Sequence, residues 1–112
     1  MHAVVVWWDL AASGRTIEDL RQFLREEAVD RFAGVEGLVF KAWLADPAEN
    51  RWGAVLFWES AEAAARPIPA RAAELIGYPP SRREAFDVEA TVEGPHSLEG
   101  LSRLGLAFGA GS

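Results

Sequence analysis

Hydrophobic and polar positions along this chain fall into short blocks, and the densest runs from Gly37 to Glu59, GLVFKAWLADPAENRWGAVLFWE. Two runs rich in Val, Phe and Trp, Leu38 to Ala45 and Trp52 to Glu59, flank the turn formers Asp46-Pro47-Ala48-Glu49-Asn50, an arrangement that predicts a β-hairpin. In the first strand Leu38, Phe40, Ala42 and Leu44 fall on one face, and Val39, Lys41, Trp43 and Ala45 on the other. Both faces are largely apolar, so the hairpin needs cover on both sides. His2 to Asp9, HAVVVWWD, predicts another strand, with Val4, Val6 and Trp8 on one face and Val5 and Trp7 on the other. Apolar on both faces, it belongs in the middle of a sheet.

Between these strands the period changes. Thr16 is a helix N-cap, Glu18 and Asp19 suit the first turn, and Ile17, Leu20, Leu24 and Ala28 recur at helical spacing, widened by Phe23 and Phe32. This amphipathic helix is expected to lie on the sheet and to end near Phe32, before Gly34. After the hairpin, Ser60 caps a second helix that begins Ala61 to Ala65, breaks around Arg66 to Pro69, and resumes from Ala70 to Ile76. Gly77-Tyr78-Pro79-Pro80 ends it. From Arg83 to Val92 the chain alternates, which predicts an edge strand with Phe86, Val88, Ala90 and Val92 inward and Asp87, Glu89 and Thr91 outward.

The order strand, helix, strand, strand, helix, strand is a ferredoxin-like βαββαβ pattern, an α+β fold with a four-stranded antiparallel sheet and its helices on one face. The second sheet face is then bare, and a twofold homodimer packing face against face is the expected cover, giving a dimeric α/β barrel. The domain is expected to occupy residues 1–96, and residues 97–112 to form a glycine-rich tail. Within that tail Ser97 to Leu104 predicts a short helix docked on its own or a partner subunit, and AFGAGS predicts disorder.

A chain of 112 residues is expected to hold one core. A net charge of -6 with scattered arginines opposes nucleic acid and anionic membrane as partners. Without cysteine there is no disulfide, thiolate chemistry or zinc-thiolate site. No run approaches the roughly 20 apolar residues of a membrane span, and Met1 to Trp8 is too short for a secretory signal, so the expected location is cytoplasmic. Five tryptophans in so short a chain make an unusually aromatic core, and part of that area is expected to belong to a pocket for a hydrophobic small molecule or to an interface.

Gly37 to Trp43, the turn with Glu49-Asn50, the returning Gly53 to Phe57, the helix start Ser60 to Ala64 and Phe86-Asp87-Val88 together resemble the YdhR-type monooxygenases of the dimeric α/β-barrel superfamily. The similarity spans roughly residues 3–98. It implies a homodimer with a small-molecule cavity in each subunit. Related antibiotic-biosynthesis monooxygenases oxidise polycyclic aromatic substrates with O₂ and no flavin, metal or haem, so the resemblance implies no cofactor.

Lys41, the sole lysine, is the sharpest candidate for chemistry. On an apolar strand it either has an acidic partner, reaches a cavity where it steadies an oxyanion, or snorkels outward at the rim of a dimer interface. Trp8, Trp43, Trp52 and Trp58 are candidates for stacking on a planar ligand, against the plainer alternative of core packing. Tyr78 is a candidate binding residue or a cover for the turn. His96 is the candidate base; His2 lies at the chain start and no metal-ligand spacing is present. Arg82 and Arg83 suit an acidic ligand or a solvated strand start. These residues point to a cofactor-independent monooxygenase acting on a planar hydrophobic molecule, with a non-catalytic binding barrel, or a cyclase or isomerase in the same cavity, as the alternatives.

Overall fold

The computed structural model describes residues 1–67, 71–95 and 101–109. Four strands, β1 (His2–Asp9), β2 (Leu38–Asp46), β3 (Arg51–Trp58) and β4 (Arg82–Asp87), form one antiparallel sheet in the order β2-β3-β1-β4. This is the ferredoxin-like α+β arrangement, with β1 and β3 central, as their apolar faces require. The hairpin turns through Asn50, whose φ of 51° lies in the left-handed region that Asn tolerates. The Asp46 carboxylate fastens the turn by accepting from the Glu49 N–H and pairing with Arg51 at 2.7 Å. That guanidinium, with the two backbone N–H groups of the turn, holds the Asp46 carboxyl below its ordinary pKa.

The first helix is one rod in three segments: α1 (Ile17–Phe23), a π-helical turn at Leu24–Ala28, and α2 (Val29–Ala33). Its start is a capping box, in which Thr16 Oγ1 accepts from the Asp19 N–H and the Asp19 carboxylate accepts from the Thr16 N–H. Phe23 and Phe32 are nine residues apart, about two and a half turns of α-helix, which would set them on opposite sides. The wider π turn between them absorbs part of that half turn, and both phenyl rings face the sheet. No periodicity argument from sequence shows such a turn. α3 (Ala61–Ala65) is capped by Ser60 Oγ, and α4 (Arg71–Ile76) is the resumed piece.

Expectations for three segments need correction. β4 stops at Asp87, since β1 begins opposite it at His2, and the Val88 N–H makes a last bond to the Met1 carbonyl. Residues beyond have no strand to pair with, and Val92 is 93% exposed. Phe86 also faces the side away from the helices, so its inward placement fails. In β2 a bulge between Leu38 and Phe40 takes up Val39 as an extra residue, and Leu38 joins the face of Lys41 instead of that of Phe40. In the tail, the described part of Ser97 to Leu104 is not helical. A 3₁₀ turn lies further on, at Leu106–Phe108, and takes in Ala107 and Phe108 of the segment expected to be disordered. It docks on the chain's own first helix, where Arg25 donates to the Ala107 carbonyl at 2.8 Å and Arg103 pairs with Asp30.

The register sorts the side chains into rows. On the helix side run Lys41, Leu56, Val4 and Ala85, then Trp43, Ala54, Val6 and Arg83, then Ala45, Trp52 and Trp8. On the open side run Phe40, Phe57, Ala3 and Phe86, then Ala42, Val55, Val5 and Glu84, then Leu44, Gly53, Trp7 and Arg82, and last the charged Asp46, Arg51 and Asp9. Gly53 is required there: a Cβ would stand 2.5 Å from the Val6 carbonyl oxygen and 2.6 Å from the Trp7 ring.

Candidate functional site

The buried side chains on the helix side form two clusters. One gathers Trp8, Leu10, Leu20, Phe23, Leu24 and Trp52, the other Val4, Phe32, Leu56 and Trp58, and partly buried Val6 and Trp43 border both. Between them lies a chamber of about 250 Å³. Its existence follows from residue size. Along β3 the inward positions read Trp52, Ala54, Leu56, Trp58, so a small floor residue sits among large walls. Opposite, Ala64, Ala72 and Ala73 on α3 and α4 give an equally low roof. Helix-favouring alanines in the sequence thus also leave space above the sheet.

Trp8, Trp43, Trp52 and Trp58 all line this chamber. They differ in what remains free. The Trp8 Nε1–H is committed to the Tyr78 carbonyl at 2.9 Å, so Trp8 offers a ring and no donor. Trp43 meets Phe32 edge to face, with centroids 5.8 Å apart. Tyr78 is not part of the chamber wall. Its hydroxyl donates to the Asp9 carbonyl and its ring packs on the core, the turn-cover role. The fifth tryptophan, Trp7, is on the open side under the Arg51 guanidinium, 4.6 Å from ring to carbon.

Lys41 points to the helix side, not to the rim of the open face. Its Nζ lies 3.3 Å from the Phe32 ring centroid and 4.6 Å from that of Trp43. Among the described residues no carboxylate accompanies it, and burial alone pushes its pKa down from 10.5 to about 7. The residue also borders a larger groove of about 680 Å³ between β2, the helical rod and Leu101 to Phe108 of the tail. Phe32, Lys41, Trp43 and Trp52 are common to both linings, so the amine stands where groove and chamber adjoin. Ionisable side chains in the two linings are Lys41 and Arg83 in the chamber, and Lys41, Arg21 and Arg103 in the groove. All are cationic.

Sequence reasoning weighed Arg83 as half of an arginine pair; register separates the two. Arg83 faces the chamber opposite Val6, while Arg82 faces the open side and pairs with Glu84 at 2.6 Å. The period-2 rule alone could have found this. His96, the candidate base, lies outside the described residues. His2 stands between Trp58 and Asp87, with Nδ1 3.6 Å from the Asp87 carboxylate. No group of three His, Asp or Glu side chains among the described residues is placed to hold a metal, and no described helix is long and apolar enough to cross a membrane.

No protein-family model matches the chain, and neither does any curated protein sequence. Among solved structures it is similar to SnoaB, a cofactor-independent oxygenase from Streptomyces nogalater, crystallised as the N63A mutant. The TM-score is 0.56 with 16% identity, over 83% of this chain and 97% of that one. At that identity the likeness is one of fold: both chains carry the ferredoxin-like α+β architecture.

Proposed function

We propose that the chain is a cofactor-independent oxygenase of the YdhR-like kind, which takes a small planar hydrophobic molecule into the chamber under α3 and α4. One observation carries this reading: an apolar chamber walled by four tryptophans holds a single amine with no acidic partner among the described residues. Such an amine lacks a counter-charge until a ligand brings one, and an enolate or phenolate oxygen is the matching group. An electron-rich anion of that type gives two electrons to O₂ to form a hydroperoxide at its carbon, and loss of water from that hydroperoxide, which leaves a C=O group, takes the other two from the same carbon, so the reaction requires no redox cofactor. Tryptophan faces hold the ring system, Lys41 steadies the oxyanion, and solvent or His96 takes the proton. The fold shared with SnoaB supports the reading without fixing it. The chamber volume falls below the ~300 Å³ at which drug-sized pockets begin, which favours one or two rings over a larger polycycle.

We also propose that the functional unit is a homodimer joined through the open sheet face. Exposed Phe40, Leu44 and Phe86 there, with half-buried Val5, Trp7, Val55 and Phe57, make an apolar surface of the kind that a second copy covers.

A second reading, a non-catalytic binding barrel, is favoured by a different observation: no acid–base pair lines the chamber among the described residues. Titrating tryptophan fluorescence with hydroxynaphthalenes, followed by oxygen uptake with each compound that quenches, separates the two. Quenching with oxygen uptake supports the oxygenase. Saturable quenching without uptake assigns the binding role, and no quenching by any planar phenol removes both.

A further inference from the structure

We propose that Lys41 is a nucleophilic amine that captures the carbonyl group of a small aromatic aldehyde or ketone as an imine within the chamber. The geometry that carries this is the position of Nζ: it lies against two rings, 3.3 Å from the Phe32 centroid and 4.6 Å from that of Trp43, on the boundary of an apolar cavity. An amine reacts through its lone pair, so it must be unprotonated, and amines in apolar pockets or beside other cations reach that state near neutrality. The first condition holds here. The other ionisable side chains in the two linings are Arg83 on β4, Arg21 on the first helix and Arg103 on the tail, and no Asp or Glu lines either cavity among the described residues. The lowered pKa of about 7 agrees with that environment.

The chemistry balances without an external oxidant or reductant. The Nζ lone pair forms a C–N bond to the carbonyl carbon, and the carbonyl oxygen takes up a proton to give a carbinolamine. Loss of the second amine proton and of the hydroxyl as water leaves C=N, and hydrolysis returns amine and carbonyl. Imine formation needs only the chamber and the amine, so it stands apart from any use of O₂. Where the oxygenase reading also holds and the carbonyl compound has a hydrogen on the carbon next to its carbonyl, the protonated imine acidifies that C–H. That supplies the carbanion without a second acid–base residue, and this link alone rests on that reading. Arg83, on the chamber lining and exposed, suits a carbonyl compound that also carries an anionic group.

Incubation of the full chain with cinnamaldehyde and sodium cyanoborohydride, followed by peptide mass mapping, tests the proposal. Lys41 is the only lysine, so the α-amine of Met1 is the only other primary amine and serves as an internal control. The expected result is reductive alkylation at Lys41 that saturates with aldehyde, is suppressed at least tenfold by excess cinnamyl alcohol, and rises from pH 6 to 8 before levelling. Labelling of Met1 should instead grow linearly and ignore the alcohol. Ala54→Phe, which fills the floor of the chamber, should remove the Lys41 adduct and spare that at Met1. Should that variant not fold, competition by the alcohol in the unaltered chain still decides. Absence of a Lys41 adduct, or labelling there that is linear and indifferent to the alcohol, overturns the proposal; neither outcome depends on oxygen uptake.

Discussion

On the helix side of the sheet Trp8, Trp52 and Trp58 are each less than a tenth exposed, whereas on the opposite side Phe40 and Phe86 are 40% and 50% exposed. Both faces are built from the same strands and both are rich in aromatic residues. Both also alternate large and small residues, and what separates them is cover. On the helix side the small Ala54 lies beneath α3 and α4, which close a chamber over it, and an amine without a carboxylate among the described residues borders that space. On the open side Ala3, Ala42 and Gly53 have no helix above them, three largely apolar rows end in Phe86, Glu84 and Arg82 on β4, and a fourth row is the charged Asp46, Arg51 and Asp9. The proposed ligand uses the enclosed space on one face, and the proposed second subunit uses the lack of cover on the other, so the two proposals can be tested separately.

Truncation should expose the difference most strongly. Trp58→Ala removes a buried ring from the cluster it shares with Val4, Phe32 and Leu56 and is expected to cost about 3 to 5 kcal/mol in urea unfolding. Phe86→Ala should cost about 0.5 kcal/mol or less in the isolated subunit, as at other exposed positions. Equal losses would mean that the two faces are buried alike in each chain.

Lys41→Met follows in size. Its amine binds a proton less readily in the folded chain, with a pKa of about 7, than at the ordinary 10.5 of an unfolded chain. Below pH 7 the folded state carries the full cost of an unpaired buried charge. Between about pH 7 and 10.5 the unfolded state binds more protons, so stability should rise with pH and level off above. Replacing the amine by an apolar chain of similar length should stabilise the protein at pH 6 by about 1 to 4 kcal/mol and flatten that rise. A destabilised variant with an unchanged slope would show that Lys41 has a counter-charge after all.

The open face is tested by concentration. Phe40→Asp combined with Phe86→Asp places two charges in the first apolar row and should weaken self-association at least tenfold, about 1.4 kcal/mol, without unfolding the subunit. Sedimentation at micromolar concentration measures this. A wild-type chain that is already monomeric there would leave the face without its second copy.

How much of this was legible depends on the range of the interaction that decides each feature. The hairpin, the caps at Thr16 and Ser60 and the end of α3 at Ala65 are set by neighbours in sequence, and each forms where those residues stand. The end of β4 is set by where β1 begins, some eighty residues away, and alternation past Asp87 carried no information about that. The π turn is a matter of one extra residue per turn, invisible to a pattern of apolar positions. Among the site candidates, the four tryptophans and Lys41 could be placed on faces by parity. Parity did not say which face the helices cover, and the chamber depends on Ala54, Ala72 and Ala73, whose contribution is the volume they leave empty. Tyr78 drew notice as a polar aromatic, yet its hydroxyl is used by the Asp9 carbonyl.

The smallest expected effect separates the covered face as scaffold from the covered face as site. Thr16 caps α1 at the edge of the helix layer and does not line the chamber, so Thr16→Ala should cost about 1 kcal/mol through loss of the bond from the Asp19 N–H. The rod it starts supplies Phe23 and Phe32 to the chamber wall, but these are also held by packing in the two clusters. A chamber that exists before ligand arrives should therefore keep its affinity for hydroxynaphthalenes and its Lys41 labelling in this variant, while the urea midpoint falls. Loss of both with the cap would mean that ligand assembles the helix layer over the sheet, and the hollow above Ala54 would then be a consequence of binding instead of its cause.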